Sequence, residues 1–435
     1  MTVEQVMAPV EQVREQLRNV DFVRLAFTDI NGKLKNVELS ISQLERIVEG
    51  EAMFDGSSIK GFSRIEKSDM KLVPDLSTLK VLPEYLEDGQ RVALVFCNAY
   101  TTDGEPFEGD SRNVLKRTLE KAKKLGYQVN VGPEPEFFLL QENGEPNDNG
   151  GYFDLSPIDT AGKVRREIVL ALESLGFVVE AAHHEVALGQ HEVDFRFDEA
   201  LNTADNIQLF KYVVQNVAKQ HGLTATFMAK PIQGINGSGM HCNMSLFKNG
   251  ENAFAGQIEQ LSDIAKNFIA GVLTHAKPIA AITNSTVNSY KRIVPGYEAP
   301  VNIAWSSANR SCMIRIPAAR GKSTRVEVRN PDPLANPYLA LAVLIEAGLR
   351  GIEENLIAPP EATRNLFALN KDEITDLGVD FLPGNLSEAL KELKESSMIR
   401  EVFGDILFNS YLEEKQADWD EYRLSVSEWE IKKYQ

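Results

Sequence analysis

Three times between residues 111 and 248 the chain runs the same course: a helical stretch, a glycine, a strand, then acidic, imidazole or amide side chains. SRNVLKRTLEKAKKLG leads to YQVNVGPEPEFFLL. TAGKVRREIVLALESLG leads to FVVEAAHHEVALGQHEVDFRF. TADNIQLFKYVVQNVAKQHG leads to LTATFMAKPIQGINGSGMHCNMSLF. Gly126, Gly176 and Gly222 each stand where a left-handed residue ends a helix. The units are too dissimilar to be repeats, and they predict one sheet that receives three helix–strand units.

The residues ahead of these units read differently. VDFVRLAFTD and KLKNVELSI flank Ile30-Asn31-Gly32, a strong hairpin signal within residues 21–40. ISQLERIVEGEAM follows as a helix, FDGSSIKGF as a glycine- and serine-rich loop, and RVALVFCNAY (Arg91–Tyr100) as a strand dense in β-formers. Thr101–Asp110, TTDGEPFEGD, is a run of turn residues and marks a boundary. A chain of 435 residues is too long for one core, so the reading is α+β: a small N-terminal domain over 1–103 and a large one over 104–435. At the very start, Val3, Val6, Val10, Val13 and Leu17 recur at helical spacing, without the basic leader and apolar core of a signal peptide. No apolar run approaches the ~18 residues of a membrane span. Three cysteines without CxxC spacing (Cys97, Cys242 and Cys312) fit a reducing, cytoplasmic setting. A formal net charge of −17 argues against nucleic acid or an anionic membrane as partner.

Side chains alternate faces along a strand. On that rule Glu134 and Glu136 share a face, as do Glu192, Asp194 and Arg196, as do His241, Asn243 and Ser245, and as do Arg325, Glu327 and Arg329. Met240, Cys242, Met244 and Leu246 form an apolar back to the third set. One such strand alone would be a half-exposed antiparallel strand. Solvent faces, however, are usually built from Lys, Thr, Ser and Gln, and here acids, His and Arg return four times. Glu185 lies seven residues before Glu192. Five Glu and one His brought together would repel strongly unless hard divalent cations relieved them. Oxygen donors with one imidazole suit Mg²⁺ or Mn²⁺ better than zinc, and the number of ligands suits two or three ions clamping a nucleotide's phosphates. Beside them, Arg310, Arg315, Arg320, Arg325 and Arg329, with Lys322, interleave with Ile, Val and Met, as residues that fork onto carboxylate or phosphate do. GINGSGMH is no P-loop; its glycines let backbone approach a small ligand. NSYKRIVPGYEAP is an exposed loop that could serve as a lid. His183 and His184, next to Ala181 and Ala182, are set aside as structural, and His191, His221 and His275 carry no ligand spacing.

The ordered set FDGSSIKGF, GPEPEFF, EVALGQHEVDF, NGSGMHCNMSLF, NSYKRIVPGYEAP, NRSCMIRIP and RVEVRNPDPLANPYLA resembles bacterial type I glutamine synthetase over nearly the whole chain. The resemblance implies a β-grasp-like N-terminal domain and a large catalytic domain with a curved antiparallel sheet backed by helices. It implies a homo-dodecamer of two hexameric rings whose sites are shared between neighbours, and ligation of ammonia to glutamate with ATP through a γ-glutamyl phosphate. Glu136, Glu185 and Glu192 would hold one metal, and Glu134, His241 and Glu327 another. Asn236, Gly237, Arg292 and Arg329 would bind glutamate. Arg310 and Arg315 would meet phosphates, and Glu180, Asn243, Ser245, Lys322 and Arg325 the nucleotide. Glu298 would be the flap acid, and Asp55, from the adjacent subunit, the ammonium-binding acid.

Phe367 in RNLFALN has no hydroxyl where some type I enzymes carry a nucleotidylated tyrosine. This implies the shorter, non-adenylylated subclass with feedback inhibition by glutamine, with Arg64 as a candidate regulatory residue. The apolar tail SVSEWEIKKYQ would suit packing on a neighbour or on a regulatory protein. The rival readings are a glutamate–amine or polyamine ligase of the same fold, a non-catalytic relative, and a phosphagen-type kinase. DGSS and Glu298 favour ammonia over an amine, no metal ligand or arginine has been lost, and the NGSGMH pocket and N-terminal domain speak against the kinase.

Overall fold

The computed structural model describes residues 13–61, 68–257 and 260–435. The N-terminal unit is a six-stranded sheet of β1 (Phe22–Thr28), β2 (Leu34–Ser40), β3 (Ala52–Asp55), β4 (Asp69–Pro74), β5 (Lys80–Val81) and β6 (Val92–Thr101). Its order is β2-β1-β6-β4-β3, with β5 on β6; β1 and β6 run parallel and the other pairs antiparallel. The β1–β2 hairpin turns where Asn-Gly predicts. Asp29 Oδ1 accepts from the Asn31 and Lys33 amides at 3.0 and 2.9 Å, and Gly32 takes φ +77. Of the helix expected over residues 3–17, Val3, Val6 and Val10 lie outside the described residues; Val13 and Leu17 are buried against this sheet.

The helix expected over ISQLERIVEGEAM is shorter than the sequence implies. A 3₁₀ turn (Ile41–Gln43) leads into a helix over Leu44–Val48, and Gly50 at φ +68 ends it. Ala52 is then drawn inward as β3, opposite Leu72. Tertiary burial decides the state of a stretch whose local propensity favoured helix.

The large unit is built on an eleven-stranded curled sheet: β7 (Gln128–Leu140), β8 (Val179–His184), β9 (Gln190–Phe195), β10 (Asp198–Glu199), β11 (Thr224–Thr226), β12 (Met240–Lys248), β13 (Glu251–Asn252), β14 (Asn302–Ser306), β15 (Cys312–Arg315), β16 (Val326–Val328) and β17 (Asp380–Phe381). The path is β17-β14-β15-β16-β12-β7-β9-β8, antiparallel apart from β14 and β15, which run parallel. Helices Ser111–Lys124, Gly162–Ser174 and Ala200–Gln220 precede β7, β8 and β11, and Gly126, Gly176 and Gly222 follow them at φ +85, +86 and +69. All three helix–strand units therefore enter one sheet.

The back of β12 is dry: Met240, Cys242, Met244 and Leu246 are all buried, while His241, Asn243 and Ser245 remain partly open on the front. Helices cover the dry side. Among them Asp263–Thr274 and Pro337–Glu353 meet backbone to backbone, since a Cβ on Gly271 would stand 2.0 Å from Ala347 O.

Polar contacts tie the two units together. Gln208 donates to Thr28 Oγ1 at 2.8 Å and to Gly32 O at 3.1 Å. Arg112, wholly buried, donates to both carboxylate oxygens of Asp205 (3.0 and 2.8 Å), to Asn98 Oδ1 at 2.7 Å and to Asp75 Oδ2 at 2.8 Å.

Candidate active site

Strand register assembles the charged residues. In β7, Glu134 lies opposite His241 of β12, while Glu136 lies opposite Glu192 of β9, which in turn faces His183 of β8. One strand pair further along, Asn243 of β12 faces Glu327 of β16, and Glu327 faces Arg315 of β15. Among the described residues three groups of ligand atoms lie each within 4.8 Å: Glu134, His241 and Glu327; His183, Glu185 and Glu192; and the buried Asp148, His184 and His191, the first two assembled by this register.

In the first group His241 Nδ1 lies 3.3 Å from Glu134 Oε2 and 3.6 Å from Glu327 Oε1. Asn243 bridges outward: its amide donates to Glu134 Oε1 at 2.8 Å, and its oxygen accepts from Arg325 Nε at 2.9 Å. Glu327 holds Arg315 Nη1 at 2.5 Å and stands 3.3 Å from Arg329 Nε. Burial works to raise Glu134, but the His241 and Asn243 contacts outweigh it and bring its carboxyl down to about 2.

The second group is short of positive charge, and Glu136, expected among its ligands, stands beside it rather than within the 4.8 Å set, where His183 takes the third place. Glu136 accepts from Gln190 Nε2 at 2.8 Å and from the Gly239 amide at 2.9 Å. Burial nevertheless pushes it up to about 7, against the pull of His241 and with the repulsion of Glu185 added. Glu192 is pushed far above the carboxylate range by burial, then by Glu136 and Asp194. Asp194 rises to about 6 through its burial, and its Oδ1 has no hydrogen-bond partner among the described residues. Crowded buried carboxylates with few donors are the environment a hard cation relieves. Both groups therefore fit divalent metal ions held by oxygen and one or two imidazole nitrogens.

Beside these ligands a cavity is lined by Glu136, Glu185, Gln190, Asn236, Gly237 and His241, and closed by Arg292, Tyr297, Glu298, Ala299 and Arg329. Gly237 is small for a reason: a Cβ there would stand 2.0 Å from Ala229 O. Arg292 is buried and donates to Asn330 O at 2.9 Å, and Arg329 donates to Arg310 O at 3.0 Å. Burial lowers both guanidiniums, so an anion entering the cavity would be welcomed.

Other expected residues sit further out. Ser245 lies on the same front face, opposite Asn130. Glu180 on β8, Lys322 in a 3₁₀ turn and Arg310 in a turn are exposed, and none of them lines the cavity. Asp55, also exposed, caps the turn after β3: its carboxylate accepts from the Ser57 amide at 2.9 Å, from Ser57 Oγ at 2.6 Å and from Ser58 Oγ at 3.2 Å. It is not among the lining residues of its own chain's cavity. Arg64 lies outside the described residues.

Sequence reasoning set His183 aside, and the structure corrects this: its Nε2 is 3.6 Å from Glu192 Oε2 and its Nδ1 3.8 Å from Glu185 Oε1. His184 points away and meets Asp148 Oδ1 at 2.9 Å, as a structural histidine. Gln190 was missed, although it stands two residues before Glu192 on the same face. Tyr152 was missed as well; it and Phe153 stack at 4.0 Å and edge onto His183.

Residues 108–434 match the family described as glutamine synthetase, catalytic domain, and residues 19–102 match the glutamine synthetase beta-Grasp domain. The curated glutamine synthetase of Thermus thermophilus is 54% identical over 427 residues, 96% of each chain. That of Clostridium saccharobutylicum is 54% identical over 423 residues, 95% of each chain. A cryoEM structure of Plasmodium falciparum glutamine synthetase superimposes with a TM-score of 0.88 at 25% identity, over 99% of this chain and 98% of that one. A structure described as a GmaS/ADP complex gives 0.89 at 29% identity, over 98% and 99%.

Proposed function

The chain belongs to the glutamine synthetase family, and from that membership we propose how its own residues divide the ATP-dependent ligation of ammonia to the γ-carboxylate of glutamate. The reading is carried by one observation: strand register sets two carboxylate–imidazole groups beside a cavity closed by Arg292, Arg329 and Glu298. Glu134, His241 and Glu327 would hold one divalent cation. Glu136, Glu185 and Glu192, with His183 at hand, would hold a second. Magnesium or manganese fits both groups, at two or three ions per active site. When bound, the cations neutralise charge on the phosphates in transfer.

Arg292 anchors a carboxylate of glutamate in the cavity floor, with Asn236 and Gly237 supplying amide and backbone contacts. Arg329 faces the carboxylate to be activated. Arg310 and Arg315 steady the phosphates, and Glu180, Asn243, Ser245, Lys322 and Arg325 receive the nucleotide. The γ-carboxylate oxygen attacks the terminal phosphorus of ATP, ADP leaves, and a γ-glutamyl phosphate results. Glu298 and Asp55 draw in ammonium and take one proton; the ammonia attacks the γ-carbon, the nitrogen gives up a second proton to the departing phosphate, and the neutral amide remains.

Asp55 does not line the cavity of its own chain, which favours its delivery by an adjacent subunit in a dodecamer of two hexameric rings. The division between the units is placed at 103/104, the enzyme in the cytoplasm, and control in feedback by glutamine. Among the described residues no helix is long and apolar enough to cross a membrane.

Phosphate release from ATP, with magnesium and glutamate, is measured plus and minus ammonium. Ammonium-dependent release with glutamine as product is expected. Release that requires putrescine instead, or none in either case, overturns the reading.

A further inference from the structure

We propose that Lys230 is a positioning residue that fastens the Glu298 flap to the glutamate-binding loop, and so keeps water from the acyl phosphate. This rests on the roles given above to Glu298 and the cavity. Lys230 begins the loop that carries Asn236 and Gly237. Its backbone is clamped on both sides by one side chain, since Asn288 Oδ1 accepts from the Lys230 amide at 2.8 Å and Asn288 Nδ2 donates to Lys230 O at 2.9 Å. The far end of the loop closes where the Ser238 amide donates to Ala229 O at 2.9 Å. The root of the Lys230 side chain is therefore fixed.

The tip of that side chain spans two structures. Lys230 is 9% exposed, and no carboxylate pairs with it among the described residues. Its ammonium donates to Ile235 O inside the loop and lies 3.6 Å from the centroid of the Tyr297 ring. Burial lowers the Lys230 ammonium, and the charge of Arg292 adds to this. A buried cation without an anion depends on whatever dipoles and π-faces surround it. Here these are one carbonyl of the glutamate loop and one ring of the flap. Tyr297 directly precedes Glu298 and follows Gly296 at φ +92, and both Tyr297 and Glu298 line the same cavity as Asn236 and Gly237. One ammonium thus joins both walls.

Without that join the flap acid drifts and water reaches the γ-glutamyl phosphate. The water oxygen bonds to the γ-carbon, the bond to the phosphate oxygen breaks, and glutamate and phosphate leave. ATP is consumed and no glutamine forms.

The test is the ratio of phosphate to glutamine in one reaction, run with full-length chains, magnesium, ATP, glutamate and ammonium. Wild type should give one phosphate per glutamine. Lys230→Met and Tyr297→Leu should each raise the phosphate released without matching glutamine by roughly thirtyfold, the scale of a lost desolvated cation–π contact. Lys230→Arg and Tyr297→Phe keep cation and ring and should stay near wild type, and the Met–Leu double variant should be no worse than the poorer single one. Tight coupling in both Lys230→Met and Tyr297→Leu overturns the proposal, as does Tyr297→Phe failing like Tyr297→Leu, or single effects that multiply in the double variant. Should Lys230→Met not fold, the two Tyr297 variants decide alone. If wild type forms no glutamine, the functional reading falls and the latch with it; if wild type forms glutamine and the variants stay coupled, only the latch falls.

Discussion

Replacing Gln190 by Leu should weaken one metal group and leave the other intact. The Gln190 amide donates to Glu136 Oε2 at 2.8 Å and to Gly237 O at 3.2 Å, while its oxygen accepts from the Ala187 amide at 3.2 Å. It therefore orients a proposed metal ligand, touches the loop that carries Asn236 and Gly237, and braces the turn that follows Glu185. A hydrogen bond to a charged acceptor is worth about 1.5–3 kcal/mol. Glu136 keeps its second donor, the Gly239 amide at 2.9 Å, so the loss should fall at the lower end. That corresponds to roughly tenfold in metal affinity, in line with the ~10–100-fold that outer hydrogen bonds to metal ligands usually carry. Titration with Mn²⁺, followed by calorimetry and by the electron paramagnetic resonance of free ion, separates the two classes of site. The class built on Glu136, Glu185 and Glu192 should weaken about tenfold, and that built on Glu134, His241 and Glu327 should move less than about twofold, having no contact with Gln190. Equal weakening of both classes, or of neither, would refute the reasoning that Gln190 acts through Glu136.

Arg112→Met strands buried Asp205, at a cost of about 3–5 kcal/mol at pH 7. Burial already raises Asp205 in the wild type and Arg112 opposes it; without Arg112 the carboxyl rises further, so the deficit is full above its folded pKa and shrinks as pH falls through it. Urea unfolding at fixed protomer concentration from pH 7 to pH 5 checks this, and a pH-independent deficit would sink it. Gly237→Ala should push the loop off Ala229 O and raise the KM for glutamate by roughly tenfold or more while the KM for ATP holds; an unchanged glutamate KM would contradict the close contact. Asp55→Asn and His241→Ala chains should each be nearly inactive alone. Dissociated together and reassembled, they should regain a fraction of activity if neighbouring chains share a site, and no recovery would place Asp55 elsewhere.

The chemistry of the site was legible wherever it followed the two-residue period. Glu134 with Glu136, His241 with Asn243, and the apolar back of β12 all lie as alternation requires. What alternation cannot supply is which strand lies opposite which, and that pairing alone sets His241 against Glu134 and Glu192 against Glu136. His183 gives no signal of its own because its sequence neighbours are alanines, whereas its partners Glu185 and Glu192 come from the following turn and strand. Gln190 had the right period but is a neutral amide, a residue type ordinary on a solvent face. Tyr152 sits among turn residues, where no period exists to reveal it. In the fold, the hairpin at Asn31-Gly32 and the three glycine-ended helices carry their own local signals. β3 does not, because its conformation is decided by burial against β4 rather than by the helix-forming residues ahead of it.

In the proposed division Glu134 and Glu136 serve different cations from one strand, and that strand works as a ruler. Two residues of extended chain measure about 6.5–7 Å, a length held by backbone geometry and by the hydrogen-bonded neighbours on either side. Side chains can flex by an ångström or so around it, but no point substitution can lengthen or shorten the ruler itself. Deleting a single residue between the two acids would turn one of them through to the dry side, so the spacing can be kept or lost but not tuned. Any ligand that bridges both cations is thereby sorted by its own length.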